Sequence, residues 1–289
     1  DPSWPTSAKT RLDILIGFLL LALRHRGDLL CHVGTVQPWH IGGHAHYVAG
    51  HLPGAIYVDL ERELSGKPSA GAGRHPLPAA RDFAAAAQRW GINPDSEVVI
   101  YDGTRALAAA RAWWLLRHAG LSKVRVLNGG LDAWTRAGYS LDIEEVKARP
   151  GSVELGWDKL PVIDIDEAEG FPGVLLDARA FERYTGASEP IDPRAGHIPG
   201  ALSSPTTENL GADGRFLDPE ALEVRFAQLG VHATEGGAGA VGAYCGSGVT
   251  AAHQILALVT IGISASLFPG SWSQYSSDPT RTPATGQTP

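Results

Sequence analysis

The residues best suited to chemistry are Cys245 and those that follow it, Gly246-Ser247-Gly248-Val249-Thr250. They form a glycine-punctuated turn between an apolar run ending at Tyr244 and a helix-like stretch from Thr250 to Thr260. A turn that delivers a thiol to a helix N-terminus is an anion cradle. Backbone N–H groups converge in it, the helix dipole favours negative charge, and such settings stabilise thiolates. Gly246 and Gly248 allow the backbone to turn so tightly. A buried cysteine acting only as a small hydrophobe is the alternative, but it needs no such turn. Ser247 can donate its hydroxyl to a bound substrate or cap its own turn, and Thr250 is expected to cap the helix.

The elements that must position this thiol are written twice. His51-Leu52-Pro53-Gly54-Ala55 returns as His197-Ile198-Pro199-Gly200-Ala201, and Glu97 to Asp102 returns as Ala240 to Cys245. From histidine to Asp102 is 51 positions, and from histidine to Cys245 it is 48. A helical run follows each, then a short apolar strand ending in glycine: Val124 to Leu127, and Ala265 to Phe268. A repeat of about 145 residues is too long for a solenoid unit and reads as duplication of a whole domain.

Within each half, β-rich runs alternate with helical patterns, the mark of an α/β fold with a mostly parallel sheet flanked by helices. The first half predicts helices at Phe83–Trp90 and Ala106–His118, with strands at Val98–Tyr101 and Val124–Leu127. The second predicts strands at Val174–Asp177 and Val241–Tyr244, with helices at Pro219–Leu229 and Thr250–Thr260. Ligands of such sheets bind beyond the carboxyl ends of the strands, where Asp102 and Cys245 fall. Only the second half carries the thiol. The expected organisation is a silent domain at 1–143, a linker at 144–160 and a catalytic domain at 161–289. The Thr- and Pro-rich tail from Asp278 is expected to be extended and partly disordered.

Composition narrows the classes. A net charge of -7 without Lys/Arg blocks argues against a nucleic-acid surface. The longest apolar run, Ile14 to Leu23, spans ten residues and reads as an amphipathic or buried helix. A bilayer span needs nearer ~20, so no membrane partner is expected. Two cysteines in 289 residues fit a reducing compartment, here the cytoplasm, and form no zinc-binding cluster. Cys31 reads as a buried, non-catalytic thiol.

Cys245-Gly246-Ser247-Gly248-Val249-Thr250 resembles the active-site loop of the 3-mercaptopyruvate/thiosulfate sulfurtransferases, two-domain members of the rhodanese superfamily. The likeness covers nearly the whole chain. It includes His51 to Ala55, Asn128-Gly129-Gly130-Leu131, Leu176-Asp177-Ala178-Arg179, Glu189 to Ala201 and Pro269-Gly270-Ser271-Trp272. The resemblance implies tandem rhodanese-like domains of which only the second is catalytic, and a reaction without metal or organic cofactor. Cys245 takes sulfur from a small anionic donor, becomes a persulfide and passes the sulfur to a thiol, cyanide or protein-thiol acceptor. With 3-mercaptopyruvate the product is pyruvate. Gly246, Gly248, Val249 and Thr250 then line the donor site.

The resemblance further implies that Arg183 clamps the donor carboxylate, with Arg194 the nearest candidate for a second arginine. His75 and Glu61 match residues implicated in proton transfer, needed because the departing enolate must be protonated. Surface roles are the alternative for all four. His51 and His197 occur in both halves and so are expected to fix structure, as are Asp177 and Arg179. The first half departs from the family pattern, with Leu30-Cys31-His32-Val33-Gly34 lacking both charges of the Asp177–Arg179 element.

Thiosulfate sulfurtransferase is the nearest competing function. Thiosulfate-preferring loops resemble Cys-Arg-Lys-Gly, whereas Gly246 and Ser247 occupy those cationic positions here. A cysteine phosphatase would need an arginine where Ala251 stands. A non-catalytic persulfide carrier or binding protein is the remaining alternative.

Overall fold

The computed structural model describes residues 14–15, 29–34, 43–232 and 240–289. The chain divides into two compact units. One, the amino-terminal unit, comprises Leu12–Gly66 and Leu77–Lys159; the other, the carboxy-terminal unit, includes Lys67–Pro76 and Leu160–Pro289. The short piece Lys67–Pro76 thus leaves the first half of the sequence to join the unit that holds Cys245.

In the amino-terminal unit the order is β1 (Ile14–Leu15), β2 (Leu29–Gly34), α1 (Gly43–Ala49), β3 (Ile56–Asp59), α2 (Leu60–Glu63), α3 (Ala80–Arg89), β4 (Val98–Tyr101), α4 (Ala109–His118), β5 (Val124–Leu127) and α5 (Gly130–Arg136). Its sheet runs β1-β5-β4-β2-β3, with every pairing parallel. The carboxy-terminal unit contains α6 (Ile165–Glu169), β6 (Val174–Asp177), α7 (Phe181–Thr185), β7 (Leu202–Ser203), α8 (Pro219–Ala227), β8 (Val241–Tyr244), α9 (Thr250–Thr260), β9 (Ser266–Leu267) and α10 (Ser271–Tyr275). Its sheet, β7-β6-β8-β9, is also parallel throughout.

The strands that carry Asp102 and Cys245 are central and wholly buried, which is why Val98–Tyr101 and Val241–Tyr244 read as continuous apolar runs. Behind β8, all of α9 from Ala251 to Val259 is buried, as befits a helix apolar on every side. Full burial of Ile255, Leu256 and Leu258 contributes roughly 1.5–3 kcal/mol each and anchors the helix whose N-terminus follows the thiol turn.

The duplication extends to individual hydrogen bonds. His51 Nδ1 lies 2.8 Å from Tyr47 O, and His197 Nδ1 lies 2.8 Å from Tyr184 O. Each imidazole stacks on that tyrosine, with centroids 3.9 and 3.8 Å apart. The tyrosine hydroxyls donate to Ala55 O and Ala201 O, both at 2.8 Å. These histidines fasten the Pro-Gly turns and belong to the scaffold. The strand registers pair His32 with Tyr101 and Asp177 with Tyr244, so His32 stands where the other unit has Asp177. Asp177 and Arg179 form a buried ion pair at 2.6 Å. Counting two positions on, Gly34 replaces Arg179, so both charges are lost together and neither is left unpaired.

Several expectations are corrected. Ile14–Leu15 form an edge strand against Val126–Leu127 instead of opening a helix; residues 16–23 of that stretch lie outside the described residues. Residues 106–108 precede α4, because Arg105 and Ala106 adopt positive φ in the turn after Asp102. The tail is tied down: Arg281 pairs with Asp166 and Glu169, and Ala284 bridges to His197. Apart from these corrections, Val153 N donates to Ile92 O at 3.0 Å and Lys159 N to His118 O at 3.0 Å, both within the amino-terminal unit.

Candidate active site

The thiol turn closes around sulfur. The N–H groups of Gly248 and Ser247 point at Cys245 Sγ from 3.1 and 3.4 Å. Gly248 has φ +81, and a Cβ there would meet Pro269 O at 2.4 Å, so the second glycine is required both by conformation and by space. The residue stage is fixed from the other side. Ser271 Oγ accepts from Cys245 N at 3.1 Å and donates to Phe268 O at 2.9 Å, while Trp272 N donates to Cys245 O at 2.9 Å.

Ser271 itself sits at φ 53, in the left-handed region. In the amino-terminal unit Gly130 takes that place at φ +52, and Leu131 N donates to Asp102 O at 2.9 Å. Serine therefore accepts a strained backbone where the amino-terminal half uses glycine, and its hydroxyl holds the thiol-bearing residue.

Asp102 shows what the same turn does without a thiol. Its buried carboxylate accepts four backbone N–H bonds, from Thr104 at 2.8 Å, Ala106 at 2.9 Å, Ala108 at 2.8 Å and Ala109 at 2.9 Å. The cradle of the amino-terminal unit is filled by its own side chain.

Two side chains from Lys67–Pro76 reach the thiol turn. His75 Nδ1 lies 2.8 Å from Ser247 Oγ, both residues being buried. Arg74, which sequence reasoning passed over, joins Arg183 beside Gly246. A Cβ on Gly246 would lie 3.0 Å from Arg74 Nη2 and 3.2 Å from Arg183 Nη1. Burial pushes the Arg74 guanidinium below its ordinary value, and the neighbouring Cys245 works in the opposite direction. Asp192 joins both cations, pairing with Arg74 Nη1 and, at 2.8 Å, with Arg183 Nη2. Glu189 in turn holds Arg183 at 2.7 Å and Arg179 at 3.2 Å.

Of the residues expected at the site, Cys245, Gly246, Ser247, Gly248, Val249, His75 and Arg183 thus gather at one turn. Thr250 is the first residue of α9, but the cap position is Val249 and no side chain caps the helix. The N–H groups that face the sulfur, those of Ser247 and Gly248, lie in the turn just before it. Arg194 is committed elsewhere: its guanidinium donates to the carbonyls of Ser276 at 2.6 Å, Arg281 at 2.6 Å, Tyr275 at 2.8 Å and Asp278. Glu61 lies on α2 of the amino-terminal unit and is half-buried. Cys31 is buried, and burial pushes its thiol up to about 12, far from a reactive range. Among the described residues, no group of three or more His, Cys, Asp or Glu side chains is placed to hold a metal ion.

Known proteins resemble this chain in sequence and fold. A rhodanese-like domain profile matches residues 41–137. A putative thiosulfate sulfurtransferase of Mycobacterium tuberculosis is 48% identical over 244 residues, covering 83% of this chain and 84% of its own. A probable 3-mercaptopyruvate sulfurtransferase of Pseudomonas aeruginosa is 47% identical over 249 residues, covering 83% and 86%. The crystal structure of a 3-mercaptopyruvate sulfotransferase from Escherichia coli superposes with a TM-score of 0.77 at 30% identity, over 88% of this chain and 96% of that one. With the thiol turn, the thiol-free Asp102 turn and the two parallel sheets, these likenesses identify the chain as a member of the 3-mercaptopyruvate/thiosulfate sulfurtransferase family, a two-domain branch of the rhodanese superfamily.

Proposed function

We propose that the chain moves sulfane sulfur from 3-mercaptopyruvate to a thiol acceptor through a persulfide on Cys245, with release of pyruvate. The observation that carries this reading is the convergence on one turn of a thiol held by two N–H donors and of two guanidinium groups facing Gly246. A sulfur-bearing carboxylate placed there meets a nucleophile and a cationic anchor together.

The Cys245 thiolate attacks the donor sulfur, forming an S–S bond as the C–S bond breaks. The electron pair of that bond leaves with carbon as the enolate of pyruvate, which takes up a proton. Ser247, linked to His75, stands beside the sulfur to deliver it. The N–H groups of Ser247 and Gly248 stabilise negative charge on sulfur before attack and after the acceptor thiolate removes the outer sulfur. That second step returns Cys245 to its thiolate and leaves the acceptor as a persulfide. We assign no proton-transfer step to Glu61. An acceptor thiol suits a reducing, cytoplasmic setting; among the described residues no helix is long and apolar enough to cross a membrane.

Thiosulfate is the second donor to consider, favoured by the name of the mycobacterial relative. Mass spectrometry of the intact chain after exposure to each donor, with acceptor withheld, tests the common intermediate. A gain of one sulfur atom on Cys245 with mercaptopyruvate supports the reading. Unmodified Cys245 with that donor rejects it.

A further inference from the structure

Arg74 arrives at the thiol turn on a tightly moored strap. Ser69 and Gly73 close a small loop, with Gly73 N donating to Ser69 O at 2.8 Å. Gln274 Nε2 donates to Gly71 O at 2.8 Å, and Arg74 N donates to Ser273 Oγ at 3.0 Å. Gly73, at φ +83, passes so close that a Cβ would meet Gly270 O at 2.5 Å. This moorage fixes the backbone of residue 74 against the segment that also holds Cys245. The guanidinium then has a defined landing place, and that place is the face of Gly246.

The two nitrogens nearest Gly246, Arg74 Nη2 and Arg183 Nη1, make no hydrogen bond among the described residues, whereas Arg74 Nη1 and Arg183 Nη2 are bound by carboxylates. Exposure divides the cluster in the same sense. The side chains of Asp192 and Glu189 are 2% and 4% exposed, those of Arg74 and Arg183 32% and 17%. The carboxylates are the buried partners, and the guanidinium groups are the more exposed ones.

We propose that Arg74 is the second donor-binding cation of this enzyme, and that Asp192, by joining Arg74 to Arg183, is the positioning residue that sets its preference for a donor carrying one carboxylate. The two unpaired guanidinium edges present N–H groups to the two oxygens of a single carboxylate. The charges of the cluster already balance: Arg74, Arg183 and Arg179 face Asp177, Glu189 and Asp192. A monoanion adds one charge to a neutral cluster. A dianion such as thiosulfate adds two, beside the sulfur anion of Cys245, with no surplus cation to receive the second. Gly246 must stay bare because any side chain there would fill the space in front of both guanidinium groups.

The inference rests on the mercaptopyruvate reading, and its test separates the two. Equilibrium binding of 3-mercaptopyruvate and of thiosulfate is measured in the full chain carrying Cys245→Ala, where sulfur transfer is blocked, alone and with Arg74→Gln, Arg74→Lys or Asp192→Asn. Arg74→Gln is expected to weaken mercaptopyruvate binding at least tenfold, about 1.4 kcal/mol, and Arg74→Lys to recover part of that loss. Asp192→Asn is expected to raise the affinity ratio of thiosulfate to mercaptopyruvate about tenfold. In the thiol-containing chain, Arg74→Gln should raise KM with kcat nearly unchanged. Unaltered binding in Arg74→Gln, or a fall in kcat at constant KM, overturns the role of Arg74. An unaltered donor ratio in Asp192→Asn overturns the role of Asp192. Failure of the parent chain to turn over a donor that it binds rejects the proposed reaction and leaves the binding assignment standing.

Discussion

His75 Nδ1 and Ser247 Oγ lie 2.8 Å apart although 172 positions separate them in the chain. The imidazole comes from the strap and the hydroxyl from the thiol turn, so the pair exists only in the folded carboxy-terminal unit. The proton delivery proposed for this pair serves one donor only. Carbon leaves mercaptopyruvate as an enolate that needs a proton, whereas sulfite leaves thiosulfate as a stable anion.

Ser247→Ala and His75→Gln are therefore expected to lower kcat with mercaptopyruvate by about a hundredfold, the lower range for loss of general acid–base help. Thiosulfate turnover should change by less than about tenfold. Parallel steady-state assays with the two donors check this. Equal losses with both would point to a collapsed turn instead of a lost proton path.

Ser271 offers a comparison between strain and hydrogen bonding. Ser271→Ala keeps the left-handed backbone, costing roughly 1–2 kcal/mol, and removes the hydroxyl between Cys245 N and Phe268 O, costing about 1–3 kcal/mol more. Ser271→Gly loses the same hydroxyl but relaxes the backbone. Urea unfolding should rank the parent most stable, the glycine variant next and the alanine variant last. Both variants should lose activity because the Cys245 N–H is no longer held. Alanine more stable than glycine would contradict the strain at φ 53.

Arg194 is expected to govern stability without touching the donor. Arg194→Ala leaves the carbonyls of Tyr275, Ser276, Asp278 and Arg281 without their common donor, at a cost of roughly 2–4 kcal/mol. Thermal unfolding should register a lower Tm, while KM for mercaptopyruvate in the folded fraction stays within about twofold of the parent. A large rise in KM with unaltered Tm would restore Arg194 to the donor site.

His32 gives the amino-terminal unit a sensitivity to acid. Burial pushes its imidazole down to about 4; Asp102 opposes that shift, and His51 and His46 add to it. The unfolded chain binds a proton near the ordinary value of 6.5, before the folded chain does. Stability therefore falls as pH drops from about 6.5 to about 4, by roughly 3 kcal/mol in all, and is fully present above that window. His32→Phe, packed among Tyr47, Tyr57 and Tyr101, should flatten the decline in Tm between pH 7 and pH 5. An unaltered slope would assign the acid sensitivity to another group.

The sequence makes the candidate nucleophile legible because a thiol, two glycines and a following helix are all local. Strands such as Val98–Tyr101 and Val241–Tyr244 announce themselves by burial on both faces, and the half without a thiol by Asp102 at the position that matches Cys245. Arg74 and Asp192 escape a linear reading because 118 positions separate them and only packing of the strap brings them together. Arg194 misleads in the opposite way: it lies in the right loop, but four carbonyls of the tail region claim its guanidinium. The tail misleads through composition. Its polar residues bury little apolar surface, yet Arg281 and the His197–Ala284 bridge fasten it. Thr250 has a residue type suited to capping, but it is itself the first helical residue, and Val249 holds the cap position just after the sulfur turn.

The most direct test of the account is pyruvate release from 3-mercaptopyruvate with a thiol acceptor, run beside thiosulfate and cyanide, for the parent chain and Cys245→Ser. The account predicts that mercaptopyruvate is the better donor and that the serine variant releases no pyruvate. Turnover with thiosulfate alone, or pyruvate release that survives Cys245→Ser, would contradict it.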